Sequence, residues 1–360
     1  MNDNRTERDF RPQAADDLAG LMLPQEPDLD KLIEKQINRR IRTIVLKSLV
    51  TVAILTALVL LGIDPLVRAQ YTDPVKLNSD AVMAKDEQVE RDSTLFRVID
   101  AWLELQFPLR ELDWIEAKSL RFGKYQLSAH VLDLSRSIVI GAPSNVEFTM
   151  TRGELAESSD PSGVLMAVTG DFVSKEKDST LRPDMAEIQK LPESAWLEVA
   201  VSEKTPVALT SLREEISDAA AADDSGLSLD WARIETPAAE IQGGINLYHV
   251  RGTMERHPDE MNEQQLKDWY LENIKLLADH PEVWQNLGFR VETEDGMTVY
   301  NTEEPLKDLY QKVKASDSLL TGHYIIRGSR DEILSFLKTR DLLGAAITAA
   351  RLTGSVSAGY

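Results

Sequence analysis

The feature that most constrains this chain is one apolar run, residues 41–67, with the sequence IRTIVLKSLVTVAILTALVLLGIDPLV. No charged residue lies in the stretch 48–63. Including Thr43, with the Lys47 ammonium reaching back toward lipid headgroups, the run supplies about 20 residues, which is the length a helix needs to cross a hydrocarbon core of about 30 Å. The run therefore predicts a single transmembrane helix over residues 43–64.

A signal peptide and a buried helix both fit this run less well than a membrane span does. A cleaved signal peptide would find a small-residue site at Val67-Arg68-Ala69, but the 42 residues before the run are far longer than an ordinary n-region. A helix of a soluble protein would show a polar stripe, whereas this run is apolar around its whole circumference. A membrane span accounts for both its length and its composition.

The charges on either side of the run predict its orientation. The C-terminal flank of the run contains Asp64, Arg68 and Asp73. Five basic residues crowd the near side, namely Lys35, Arg39, Arg40, Arg42 and Lys47. By the positive-inside rule, residues 1–42 lie in the cytoplasm and the chain after about Pro65 lies outside. We therefore expect a single-pass cell-membrane protein with a cytoplasmic N-terminus and an extracytoplasmic C-terminal domain.

Composition limits the kinds of fold and partner that the extracytoplasmic part can have. The chain has 360 residues and no cysteine, so its fold uses no disulfide and no cysteine-liganded zinc. Its formal net charge is −20, and residues 1–42 hold nine acids against eight bases, so the surplus of acid lies almost wholly beyond the membrane. An acidic exterior argues against binding of nucleic acid or anionic lipid.

The cytoplasmic tail carries apolar residues at helical spacing inside otherwise polar sequence. One set lies before Pro24, and a second follows Asp28 and continues to Ile41, so we expect short amphipathic helices of which the second runs into the span. The polar face of this second helix leaves two alternatives: it lies against headgroups, or it presents its apolar stripe to a protein. The candidate partner-binding residues are Leu18, Leu21, Met22, Leu23, Leu29, Leu32, Ile33 and Ile37.

Beyond the membrane, residues 65–94 are charged, which is typical of a spacer, and they are expected to become helical near 81–91. The rest alternates between periods of about 3.6 and 2, which predicts an α+β fold: a single N-terminal transmembrane helix followed by a mixed α+β extracytoplasmic domain. We divide that domain into 95–190 and 191–360. Helices are expected at 95–105, 210–222, 262–278, 303–313 and 330–339, and strands at 125–131, 137–140, 146–150, 164–168, 196–201, 227–234, 245–250, 288–292, 297–300, 322–327 and 347–352.

No catalytic signature is found in the sequence. Ser335-Phe-Leu-Lys338 fits the SxxK pattern of serine acyltransferases, but the companion SDN and KTG triplets are absent. The five histidines are dispersed, and Asp223-Asp224-Ser225-Gly226 is typical of a turn. We therefore expect a protein that is not an enzyme and has no cofactor, metal ligand or catalytic residue.

Three stretches together resemble the sigma factor regulator family, membrane-anchored anti-sigma factors of Gram-positive bacteria. The first is Lys31-Leu-Ile-Glu-Lys-Gln-Ile-Asn-Arg-Arg40 running into the span and out through Gly62-Ile-Asp-Pro65. The second runs from Leu191 to Ser202, LPESAWLEVAVS, with TPVALTSL and Asp230-Trp231 after it, and the third is GHYIIRGSRDEIL at 322–334. In such a family the latter two open and close the C-terminal domain.

The resemblance implies a regulator whose outer domain senses an envelope state and whose cytoplasmic segment holds a sigma factor. The tail of about 42 residues lacks a zinc-binding His/Cys set, so short helices would have to supply the inhibition. The alternative is an envelope binding module, in which the outer domain binds wall polymer or a secreted protein and the tail inhibits nothing. A wall hydrolase is disfavoured by the absence of a catalytic motif.

Overall fold

The computed structural model describes residues 27–70, 88–89, 91–122, 124–134, 144–152, 154–159, 185–222, 226–248, 258–293 and 296–352. The chain divides into two compact units, Met1–Ile63 and Asp64–Tyr360. The first unit is built on one long helix. The second contains two five-stranded sheets, a hairpin and the remaining described helices.

Helix α1 extends from Pro27 to Gln70, 44 residues. It begins at a proline, whose fixed φ and missing N–H suit the first turn of a helix. Within it, the 27 residues Ile33–Val59 contain an 18-residue window with a mean hydropathy of 1.9, so the helix is long and apolar enough to cross a membrane. The expected apolar N-terminal helix followed by sheets is thus confirmed. The boundaries 43–64 and the orientation stay predictions.

The first sheet is an antiparallel meander in chain order. Two of its hairpins turn through residues with positive φ, Phe122 at 55° and Arg152 at 54°. Along its third strand, alternate residues from Tyr125 to Val131 are buried, which is the half-buried pattern expected there. Its strands are β1 Gln88–Val89, β2 Arg110–Arg121, β3 Lys124–Asp133, β4 Ser144–Thr151 and β5 Glu154–Ser159.

The second sheet is also antiparallel, and a separate hairpin lies between its strands in the sequence. The remaining strands are β6 Ala195–Ala208, β7 Ser228–Glu235, β8 Gly243–Asn246, β9 Phe289–Thr293, β10 Gly296–Tyr300, β11 Leu320–Ser329 and β12 Leu342–Leu352. The sheet has the order β12-β6-β11-β7-β8, and β9 pairs with β10. This order places β11 at the centre, and most of its residues are buried on both faces.

Helices cover these sheets at several points in the chain. They are α2 Thr94–Gln106, α3 Met185–Lys190, α4 Leu209–Ala222, α5 Glu263–Asp279, α6 Pro281–Trp284, α7 Glu304–Ala315 and α8 Arg330–Lys338, with a 3-10 turn at Pro258–Glu260. Each helix of this unit that was expected from the sequence after residue 94 is present within a few residues of its expected bounds.

One hydrophobic core runs through the second unit. It joins α2, the first sheet, one face of β6 (Leu197, Val199 and Val201) and the inner faces of α4, α5, α7 and α8. Trp102 on α2 is 1% exposed, and its Nε1 donates to the backbone oxygen of Gly288 at 3.0 Å. The segments 95–190 and 191–360 therefore share a core, and the boundary between them stays a prediction.

Several expectations differ from the structure. Gln88–Val89 pairs with β2 as a strand, so the helix expected near 81–91 is wrong at those residues. Strand β2 itself was not expected, because the sequence of Arg110–Arg121 mixes charged and apolar residues without strict alternation. The strands expected at 137–140 and 164–168 lie outside the described residues.

Two strands are longer than expected. Strand β6 continues through Pro206, where the register with β11 shifts between Thr321 and His323, so the missing proline N–H falls at an irregularity of the ladder. Strand β12 begins at Leu342 rather than at 347. Its first residues are rich in glycine and alanine, which carry little strand signal.

Candidate functional site

Helix α1 has two distinct faces before it enters its most apolar part. Ile33, Ile37 and Ile41 are 47%, 51% and 52% exposed. At about 100° per residue they lie within about 80° of one another, on one side of the helix. The opposite side carries four cations that are also exposed, namely Lys31, Lys35, Arg39 and Arg42. The segment is therefore an amphipathic helix with an isoleucine stripe facing away from a basic stripe.

The structure describes only some of the eight predicted partner-binding residues. Ile33 and Ile37 share the exposed isoleucine stripe of α1. The backbones of Leu29 and Leu32 belong to the same helix, and their side chains are not among the described parts of the chain. Four further predicted residues, Leu18, Leu21, Met22 and Leu23, lie outside the described residues.

In the second unit, the most concentrated polar group lies at the centre of the second sheet. Arg327 on β11 is 1% exposed and lies between two acids on the neighbouring strands, Glu198 of β6 and Asp230 of β7. Its Nη2 donates to Glu198 Oε2 at 2.8 Å, and its Nε lies 2.8 Å from Asp230 Oδ2. We call these three residues the buried ion cluster.

The carboxylates of the buried ion cluster also accept neutral hydrogen bonds. The hydroxyl of Thr348 donates to Glu198 at 2.8 Å, and that of Ser228 donates to Asp230 at 2.8 Å. Buried charges persist in proteins when they are paired and hydrogen-bonded in this way. Because all three residues are sealed from solvent, the cluster is a structural network rather than a binding surface.

The buried ion cluster also ties the first sheet to the second. Arg327 Nη2 donates to the backbone oxygen of Leu134, which follows β3, at 2.7 Å. The side chain of Asn246 on β8 makes a second tie by donating to Arg110 O at 2.8 Å and accepting from Leu109 N at 3.0 Å. Leu109 has a φ of 58°, and this amide contact holds that left-handed residue in place.

A second polar group lies on the same face of β11, nearer its start. His323 Nδ1 is 2.7 Å from Glu235 Oε1 and 2.5 Å from Arg233 Nη2. A Cβ at Gly322 would lie 2.6 Å from that same Glu235 oxygen, so glycine leaves room for the carboxylate. The three side chains are only partly exposed, and they lie at the rim of the sheet.

The opposite face of β11 holds Tyr324, whose hydroxyl donates to Glu203 Oε1 at 2.5 Å. Arg340 Nη1 lies 3.7 Å from the same oxygen. Burial raises the pKa of Glu203 above its ordinary value, although the Tyr324 hydrogen bond and Arg340 act in the opposite direction. Burial and the neighbouring Glu203 carboxylate also raise the pKa of Tyr324, which stays neutral.

Sequence reasoning missed these groups, although each left a signal. Glu198 is the one acid inside the apolar strand sequence WLEVAV, and Arg327 ends the run HYII. A charged residue within a strand buried on both faces requires a partner of opposite sign on an adjacent strand. The pairing could have been proposed from the two segments once both were assigned to one sheet.

Candidate catalytic and metal-binding side chains are few among the described residues. No three His, Cys, Asp or Glu side chains among the described residues gather as a metal site would require. Ser335 and Lys338 of the SxxK match lie exposed on the outer side of α8.

Comparison with known proteins gives no family assignment. No protein-family model matches the chain, and neither a curated protein nor a solved structure shows significant similarity to it.

Proposed function

We propose that this protein is a single-span membrane regulator resembling an anti-sigma factor, whose cytoplasmic helix holds a sigma factor while its α+β unit senses a state of the cell envelope. The observation that carries the proposal is the exposed isoleucine stripe of Ile33 and Ile37 on a helix that continues without interruption into the apolar run. Exposed apolar stripes of this kind bind a hydrophobic groove on a partner.

The length of α1 supports a protein partner over a lipid surface. At 1.5 Å per residue, its 44 residues extend about 66 Å, whereas the hydrocarbon core takes up about 30 Å. No glycine or proline lies between Asp28 and Leu61 to bend the helix. With the predicted span at residues 43–64, the segment before it continues along the axis of the span, so Ile33 and Ile37 lie about 15 Å and about 9 Å before the hydrocarbon core.

The charge of the segment supports a cytoplasmic location for this stripe. The cations on the opposite face, with Arg40 and Lys47, supply the positive charge that the cytoplasmic side of a span prefers. A sigma factor is a cytoplasmic protein, so the stripe and its partner would share one compartment. With so few residues available, affinity must be concentrated in a handful of apolar anchors.

The test is capture of a sigma factor by the full-length protein. The protein, extracted from membranes of its host, should retain an RNA polymerase sigma factor identified by mass spectrometry. Replacing both Ile33 and Ile37 by Asp puts unpaired charge into a dry interface, so recovery should fall by more than about a hundredfold. Transcription from the promoters of that sigma factor should rise in cells carrying this variant.

The matched control is the double change Gln36→Asp and Asn38→Asp, which adds the same charge to exposed positions beside the stripe. This control should keep both sigma-factor recovery and promoter output. If neither the wild type nor the control retains a sigma factor at normal membrane abundance, the anti-sigma proposal is wrong and the envelope binding module replaces it.

A further inference from the structure

Four cations of α1 lie where the helix meets the predicted hydrocarbon core. With the span beginning at residue 43, Arg42, Arg40 and Arg39 lie about 2, about 5 and about 6 Å before the core, at 1.5 Å per residue. Lys47 lies about 6 Å inside the core, and its long side chain reaches back to the same level. The headgroup layer on each side is about 5–8 Å thick, so all four charges fall within it. We call these four residues the basic collar.

The charge of the basic collar is not neutralised by the chain itself. All four side chains are exposed, and none of them forms an ion pair with a described residue. The sequence contains no Asp or Glu between Lys35 and Ile63. The nearest acid on the N-terminal side, Glu34, lies about 8 Å from Arg39 along the axis, which is about one Debye length at physiological ionic strength. The headgroup layer must therefore supply the counter-charge.

The positions of the collar cations suit phosphate groups. Arg39 and Arg42 are three residues apart, so they are neighbours on the helix surface. At about 100° per residue, Arg40 and Lys47 lie within about 20° of each other, on an adjoining side of the helix. A guanidinium binds phosphate oxygens through paired N–H donors, and an ammonium adds a compact charge. Each pair can therefore contact one phospholipid headgroup.

We infer that the basic collar binds anionic phospholipid headgroups in preference to zwitterionic ones. A zwitterionic headgroup brings its own cation into the layer, whereas an anionic headgroup brings a net charge that the collar neutralises. The span holds the collar at headgroup depth, where lipid is always present and where an acidic protein would have to displace lipid to reach it. The predicted orientation places the collar in the cytoplasmic leaflet, whose surface is anionic.

Two further cations on the same side of the helix as Arg39 and Arg42 provide an internal comparison. Lys35 and Lys31 lie about 12 and about 18 Å before the core, beyond the headgroup layer. The attraction of an anionic membrane surface falls off within about 8 Å. These lysines should therefore contribute little to lipid selection, although they are also exposed. The inference rests on the membrane span of the proposed function and does not require that a sigma factor binds.

The absence of cysteine makes a direct test simple, because any introduced thiol is the only one in the chain. The full-length variant Ile44→Cys, labelled with bimane in nanodiscs of equal phosphatidylglycerol and phosphatidylcholine, reports on the lipids beside the collar. Either lipid, carrying the same spin label near its headgroup, quenches the bimane on contact. Phosphatidylglycerol should quench several-fold more than phosphatidylcholine, and the difference should shrink as salt is raised to about 1 M.

Two controls separate the collar from the rest of α1. Ile63→Cys, at the other end of the predicted span, is followed by Asp64 and has no cluster of cations beside it, so both lipids should quench its label equally. In the labelled Ile44→Cys protein, Arg39→Gln with Arg42→Gln should remove most of the preference. Lys31→Gln with Lys35→Gln removes the same charge from the same side and should keep it.

Equal quenching of the residue-44 label by both lipids would overturn the inference, as would an equal loss of preference in the two double variants. A residue-44 label that neither lipid quenches would place this position outside the bilayer and overturn both the inference and the single-span proposal. The two proposals otherwise fail separately. Sigma-factor capture without a lipid preference removes only the inference, and a lipid preference without a sigma factor removes only the anti-sigma role.

Discussion

At the scale of single residues, the second unit depends on charges that it has sealed from water. Arg327 faces both Glu198 and Asp230, so one cation offsets two carboxylates and also holds Leu134 by its backbone oxygen. Removing one member of such a group is costly because the charges left behind remain buried and unpaired. Replacing every member by apolar residues is much less costly, for the same reason.

Arg327→Met should therefore destabilise the protein strongly, by about 3–5 kcal/mol, since Glu198 and Asp230 would face each other without their cation. Urea unfolding of the full-length protein in detergent, followed by tryptophan fluorescence, measures the change. The exposed Arg351→Met on β12 is the control and should change stability by less than about 0.5 kcal/mol. Adding Glu198→Met and Asp230→Leu to Arg327→Met should recover part of the loss; no recovery would argue against this account.

Glu203 should make stability depend on pH with a defined sign. Its pKa is raised in the folded state, mainly by burial, so the native protein binds this proton more tightly than the unfolded chain does. Its contribution is fully present below the ordinary glutamate pKa of 4.5 and is lost as pH rises through the folded pKa. The free energy of unfolding of the wild type should thus fall relative to Glu203→Gln as pH rises from about 4 to about 7.

Glu303 supplies a control of opposite sign for this pH experiment. Its pKa is lowered, first by a hydrogen bond from its own backbone N–H and then by Lys307, so its contribution is present above 4.5 and lost as pH falls. The free energy of unfolding of the wild type should therefore increase, relative to that of Glu303→Gln, as pH rises through this region. Parallel pH trends for the two variants would show that the pKa of Glu203 is not raised by burial.

At the scale of elements, sequence patterns predict helices and strands that depend on local residues. They miss strands and ion pairs that depend on residues far apart in the sequence. Helix α5 was expected from its periodic apolar face, and the structure adds a capping box in which Asn262 and Gln265 make both reciprocal hydrogen bonds. Strand β2 was missed because its burial follows from packing under α2, not from its own alternation. The buried ion cluster was missed for a related reason, since its members come from three strands far apart in the sequence.

The cap of α5 gives a prediction at this scale. Asn262→Ala removes the acceptor for the Gln265 backbone N–H, which now lies 2.9 Å from the Asn262 side-chain oxygen, so stability should fall by about 1 kcal/mol. Asn262→Ser keeps an oxygen at the cap and should cost only a few tenths of that. The midpoint of urea unfolding separates the two variants. An equal loss in both would mean that the cap hydrogen bond is not what stabilises this end of the helix.

At the scale of the whole molecule, the two units meet different surroundings. The first exposes large apolar side chains along α1, which suits lipid and helical partners. The second buries its apolar residues in one main core and one smaller cluster, and it carries most of the net negative charge of the chain. This contrast was predictable from composition alone, because the apolar run and the acidic remainder are separated along the sequence. The side of the membrane occupied by each unit follows only from the basic flank.

Orientation is therefore the prediction on which the proposed function most depends, and the cysteine-free sequence allows it to be measured without background. The side chain of Glu193 is 83% exposed, so Glu193→Cys should react with a membrane-impermeant maleimide in intact cells. Lys31→Cys, on the exposed basic face of α1, should react only after the membrane is permeabilised, because basic residues stay on the cytoplasmic side. The reverse pattern would place the isoleucine stripe outside the cell, out of reach of any sigma factor. Labelling of neither position in intact cells would place both units inside and contradict the extracytoplasmic domain.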